Sequence, residues 1–176
     1  RYQFNQQVMP GVGEGAIEVS REAADPSMIC FKGKYYIFAS MTLGVWVSED
    51  MANWEAKRLP DNLPFYDYAP DVRVIGDYVY FSASKRGEPC NFYRTKNIEE
   101  GPYEEIKGTF DFWDPNLFAD DDGKVYFYWG CANMTPIWGV EMDLETMHPK
   151  TDRIELVHGN WSENGYEVCG EDHCDL

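Results

Sequence analysis

No apolar run in this 176-residue chain approaches the roughly 18–20 residues that a membrane-spanning helix needs, so no span is expected. Basic residues are scarce: 15 Lys and Arg stand against 31 Asp and Glu, a formal net charge of −16. Such a surface repels phosphate backbones, which argues against a nucleic-acid partner and suits a neutral ligand such as a sugar. Only three histidines occur, His148, His158 and His173, and the chain has neither an HExxH pair nor a glycine-rich phosphate cradle. A zinc-protease centre and a nucleotide site are therefore not expected. The five cysteines (Cys30, Cys90, Cys131, Cys169 and Cys174) are odd in number and irregular in spacing, which gives no disulfide framework. Cys169, His173 and Cys174 lack the second ligand pair of a structural zinc site, so no metal ligand is assigned. No signal peptide is read, and the chain opens on Arg1. The compartment stays open, with a periplasmic or secreted setting favoured, and no oligomeric state is assigned. No long amphipathic helical period occurs anywhere.

What is present is aromatic and periodic. Aromatic residues make up 16% of the chain, which argues against disorder. Three stretches share one pattern, an aspartate followed by an apolar run, a glycine-centred turn and an aromatic run. They are Asp25-Pro26-Ser27 leading through Gly33 to Phe38, Pro70-Asp71-Val72 leading through Gly76 to Phe81, and Asp114-Pro115-Asn116 leading through Gly123 to Phe127. Asp25, Asp71 and Asp114, spaced by 46 and 43 positions, read as one fixed place in a repeating unit. Each pair of runs is a hairpin signal. A third strand is expected at Val45–Ser48, Phe92–Thr95 and Ile137–Glu141, and an outer strand near Glu55–Leu59, Tyr103–Ile106 and Arg153–Val157. Asp50, Asn97 and Asp143, in the turns between, keep spacings of 47 and 46. A β-sandwich also has short strands and turns, but it does not need a period that holds in both halves of the unit. Four strands on a period of about 40–50 residues predict an all-β propeller. The blade-like units cover about 24–66, 67–110 and 111–160, with 161–176 beginning another unit or a loop. Three blades do not close a ring, so the chain reads as one incomplete propeller domain.

Ala24-Asp25-Pro26-Ser27, Tyr68-Ala69-Pro70-Asp71 and Trp113-Asp114-Pro115-Asn116, each ahead of its hairpin, resemble glycoside hydrolase family 43, the five-bladed propeller glycosidases. The resemblance covers most of the chain from Ala24 onward. It implies an inverting hydrolase that removes arabinofuranosyl or xylosyl units from plant polysaccharides or oligosaccharides. In that family one carboxylate activates water, an acid protonates the leaving oxygen, and a further aspartate orients and tunes the acid. Asp25 matches the base and Asp114 the tuning aspartate. An inverting pair stands about 6.5–9.5 Å apart to admit a water. Asp71, Tyr68, Trp113 and Trp46 are candidates for contact with the sugar, although Asp71 also suits a blade turn and the tryptophans also suit a core. Tyr68 stands where the family commonly has Trp.

The general acid has no match of this kind. Glu100-Gly101-Pro102 carries the family's letters but precedes Asp114, in an ordinary turn. Glu163, Glu167 and Glu171 follow Asp114 without the motif. The acid is expected beyond Leu176, and the isolated chain is expected to be nearly inactive. No cofactor is expected. The resemblance implies a calcium ion at the centre of the complete ring, held by a late-blade histidine whose place none of the three histidines here occupies. A retaining, fructosidase-like propeller and a non-catalytic sugar-binding propeller are the alternatives.

Overall fold

The structure is a computed structural model that describes residues 5–8, 18–21, 24–40, 42, 44–60, 63, 68–84, 89–132, 135–160 and 162–164. Every regular element among them is a β-strand. β1 (Asn5–Val8) and β2 (Glu18–Arg21) form an antiparallel ribbon that the repeat did not announce. Twelve further strands make three four-stranded antiparallel sheets, each wound in simple sequence order. The first blade holds β3 (Ala24–Phe31), β4 (Lys34–Ser40), β5 (Gly44–Ser48) and β6 (Glu55–Arg58). The second holds β7 (Tyr68–Ile75), β8 (Tyr78–Ser84), β9 (Phe92–Thr95) and β10 (Glu104–Ile106). The third holds β11 (Asn116–Ala119), β12 (Val125–Trp129), β13 (Ile137–Met142) and β14 (Ile154–Val157).

The two-residue side-chain period of a strand builds the core between blades. Tyr36, Phe38, Val45 and Val47 of the first blade are buried with Val72, Val79 and Phe81 of the second. The Phe38 and Phe81 ring centroids lie 5.8 Å apart. A second cluster joins Phe92 and Phe112 to Phe127 of the third blade, with the Phe112 and Phe127 centroids 4.8 Å apart. Each fully buried Phe contributes about 1.5–3 kcal/mol. The spaced polar residues have a local task that recurs in every blade. Asp50, Asn97 and Asp143 each accept two backbone N–H bonds two and three residues ahead, which closes the turn after the third strand.

At the hairpin-turn end of the first two blades, Glu99 ties one blade to the next. Its carboxylate accepts from Lys34 Nζ at 2.9 Å and from Tyr36 Oη at 3.1 Å, and it pairs with Lys57. The bonds from Lys57 and Lys34 hold the carboxyl down at about 2, and burial together with Glu99 pushes the Tyr36 hydroxyl up to about 12. A depressed carboxyl supports the fold above its ordinary value and loses that support as pH falls toward 2. Glu99→Gln is expected to cost about 1–2 kcal/mol at pH 7, after solvent screening, and much less at pH 2.5. Urea midpoints of the two proteins across that range provide the check.

Candidate active site

At the opposite end of the blades the chain enters each sheet through a residue that precedes proline. Asp25, Ala69 and Asp114 all have φ between 47° and 49° there. Left-handed φ is costly for non-glycine residues, about 1–2 kcal/mol, and a following proline disfavours helical geometry further. The same strain in three blades marks one structural position. The ladder registers agree: Ser27 faces Phe38, Asp71 faces Ser82 and Asn116 faces Tyr128, with a bulge preceding the first two pairs. This corrects the expectation that Asp25, Asp71 and Asp114 share one place in the unit. Asp25 and Asp114 do share it, and Ala69 is their counterpart in the second blade. Asp71 lies two residues further in, level with Ser27 and Asn116.

Asp25, Ala69 and Asp114 line an open groove of about 370 Å³, with Asn116, Tyr128 and Trp129 on its third-blade side. A contiguous groove runs from Asp25 past Pro26 and Pro70 to Arg73. Two buried serines at the ends of β4 and β8 reach across to the next blade. Ser40 Oγ accepts from Ala69 N–H at 2.8 Å and donates to Asp25 Oδ2 at 2.7 Å. Ser84 Oγ accepts from Asp114 N–H at 3.0 Å. In the third blade the matching residue is Gly130, whose N–H donates to the Trp113 carbonyl at 2.8 Å. A Cβ at Gly130 would lie 2.9 Å from the Pro136 carbonyl oxygen, so no serine fits there.

Asp71 is only 6% exposed and faces the third blade. Its Oδ2 accepts from Leu117 N–H at 2.7 Å, while Oδ1 pairs with Arg73 Nη2 at 3.0 Å. Arg73 Nε donates to the Leu117 carbonyl at 2.8 Å, so the pair grips both sides of the residue three positions after Asp114. Burial pushes the Asp71 carboxyl up to about 6, against the opposing pull first of the Leu117 N–H and then of Arg73. In the preceding blade Ser27 has the equivalent role, accepting from Val72 N–H at 3.1 Å.

Of the expected sugar contacts, Trp46 sits half-buried in β5 between the core residues Val45 and Val47, and it does not line the groove. An aromatic residue in mid-strand at this spacing packs on a sheet face instead of reaching the strand ends where the groove opens. Trp113 is also half-buried, and its carbonyl anchors Gly130. Tyr68 opens β7 opposite Ser84, and its side chain lies outside the described residues. Tyr128, Ser40 and Ser84 had no sequence signal beyond their places in the strand ladder, and Asn116 had only its place in the third motif. Glu100 lies in the turn between β9 and β10, away from the groove, and accepts from Asn97 Nδ2. Exposed Glu163 accepts from Asn160, while Glu167 and Glu171 are outside the described residues. Among the described residues no three His, Cys, Asp or Glu side chains converge on a point that would hold an ion.

The family model for glycosyl hydrolases family 43 matches residues 19–170. The chain belongs to that family. Its sheets are three blades of the family's five-bladed propeller. Xylosidase/arabinosidase 43A of Humicola insolens is 28% identical over 153 residues, which take in 68% of this chain and 45% of the relative. The family 43 chain thus spans less than half the length of that curated relative. A GH43_12 structure from a capybara gut metagenome superposes with a TM-score of 0.68 at 22% identity, covering 81% of this chain and 32% of that one. An α-L-arabinofuranosidase of Clostridium thermocellum gives a TM-score of 0.63 at 16% identity, covering 77% of this chain and 56% of that one.

Proposed function

We propose that the protein carrying this chain is an inverting glycoside hydrolase that removes arabinofuranosyl or xylosyl units from plant polysaccharides or oligosaccharides. The observation that carries the reading is the pairing of Asp25 and Asp114 across Ala69 in one groove, each held at the same strained backbone position. Family membership and the xylosidase/arabinosidase and arabinofuranosidase named above support the substrate class. Asp25 takes a proton from a water whose oxygen attacks the anomeric carbon. The bond to the leaving oxygen breaks on the other face as an acid outside the described residues protonates it. The negative charge of Asp114 beside that acid keeps it protonated near neutral pH. Tyr128 offers a ring face on which a sugar can stack.

The test is hydrolysis of nitrophenyl α-L-arabinofuranoside and β-D-xyloside by the intact protein, with the first-formed anomer followed by NMR. Release of the inverted sugar from either glycoside is the expected result. Product with retained configuration would overturn the inverting mechanism, and no turnover of either glycoside would favour a sugar-binding propeller instead.

A further inference from the structure

We infer that Ser40 is a positioning residue for the general base, an inference that rests on the assignment of Asp25 to that role. Ser40 is 2% exposed at the end of β4 and has one hydroxyl hydrogen to give. The Ala69 N–H can only donate, so the bond at 2.8 Å uses an oxygen lone pair of Ser40. The single hydrogen is thereby directed to Asp25 Oδ2 at 2.7 Å. One oxygen of the carboxylate is fixed by that bond, which leaves the other oxygen to take the proton of the attacking water. The same hydroxyl keys the first blade to the second, because Ala69 forms the wall between the two carboxylates. Hydrogen-bonding serines stand at this ladder position in the first two blades, where each holds a member of the Asp25–Ala69–Asp114 row. The third blade has Gly130 there, with no room for a side chain. Exposed Asp25 thus draws its orientation from a buried partner on a neighbouring strand of its own sheet.

The experiment compares the intact protein with Ser40→Ala, Ser40→Thr, Asp25→Asn and the Ser40→Ala/Asp25→Asn double variant on an aryl glycoside, with unfolding midpoints recorded for each. Ser40→Ala is expected to lower kcat roughly 10–100-fold with KM within about twofold, the size of a lost hydrogen bond to a charged group. Ser40→Thr, which keeps a hydroxyl, is expected to restore most of kcat. In the Asp25→Asn background the Ser40→Ala change is expected to cost less than about twofold, since the two residues act as one unit. A Ser40→Ala enzyme with wild-type kcat overturns the assignment of Ser40, as does a loss of equal size in both backgrounds. Full activity of Asp25→Asn instead overturns the base assignment, a distinct outcome.

Discussion

Asp25→Asn lowers kcat by roughly 10²–10⁴-fold on an aryl glycoside while the unfolding midpoint stays close to wild type. Both halves of that expectation come from local geometry. Asparagine keeps the shape of aspartate and an oxygen that accepts from Ser40, and it tolerates the left-handed backbone at φ 49° better than most residues. It cannot take up a proton from water at neutral pH, so it loses the base without disturbing the blade entry. Even alanine is sterically acceptable, since Ala69 holds the same position in the second blade at φ 47°. The fold therefore does not require the carboxylate, and a large kinetic loss with a small thermal one separates chemistry from structure. Asp114→Asn has a different signature. If Asp114 has the tuning role proposed for it, removing its negative charge favours the ionised form of the acid, so the basic limb of the pH–rate profile moves to lower pH. A kcat within about threefold of wild type for Asp25→Asn would remove Asp25 from the mechanism.

The blade plan was legible because it is carried by the commonest kind of signal, alternation of apolar residues broken by turn residues at a fixed period. Twelve strands and their order followed from that. The β1–β2 ribbon did not, because four-residue strands such as Asn5–Val8, with one apolar residue, carry no period. The misalignment of Asp71 has a more instructive cause. A sequence comparison pairs like letters, so Asp71 was set beside Asp25 and Asp114. The ladder instead pairs backbone positions, and a bulge at the start of each of β3 and β7 decides which residue stands level with which. Alanine at the equivalent position of the second blade is invisible to a search for acids. Its positive φ, shared with Asp25 and Asp114, identifies it at once. Ser40 and Ser84 were equally hidden, because a serine at a strand end has many ordinary uses and only its partners distinguish it. Among the described residues the groove brings Asp25 and Asp114 together, both of which the sequence had singled out.

Asp71→Ala is expected to cost about 2–3 kcal/mol of stability, mainly for the buried Leu117 N–H it leaves without an acceptor. The substitution leaves a buried Leu117 N–H without its acceptor and Arg73 without its carboxylate, at the junction of the second and third blades. If Asp71 were a sugar contact, the same change would raise KM and leave the unfolding midpoint in place. The clamp also gives a pH dependence whose sign is opposite to that of Glu99. Burial raises the Asp71 carboxyl from 3.8 to about 6, so between roughly pH 4 and 6 the folded state holds more proton than the unfolded chain. This group's contribution is fully favourable below about pH 4 and is lost as pH rises through 6, a change of about 3 kcal/mol at most. Asp71→Asn keeps an acceptor for Leu117 and cannot ionise, so its stability relative to wild type should improve steadily from pH 4 to pH 7. Denaturant midpoints of wild type, Asp71→Asn and Asp71→Ala at four pH values in that range test both points. A parallel pH course for wild type and Asp71→Asn would mean that the carboxyl does not titrate there. An Asp71→Ala midpoint within about 1 kcal/mol of wild type would mean that Arg73 alone holds the third blade. Because the clamp closes three residues after Asp114, the expected loss of stability should bring a loss of turnover with it. The same side chains that join the blades then also hold the strand that Asp114 leads into.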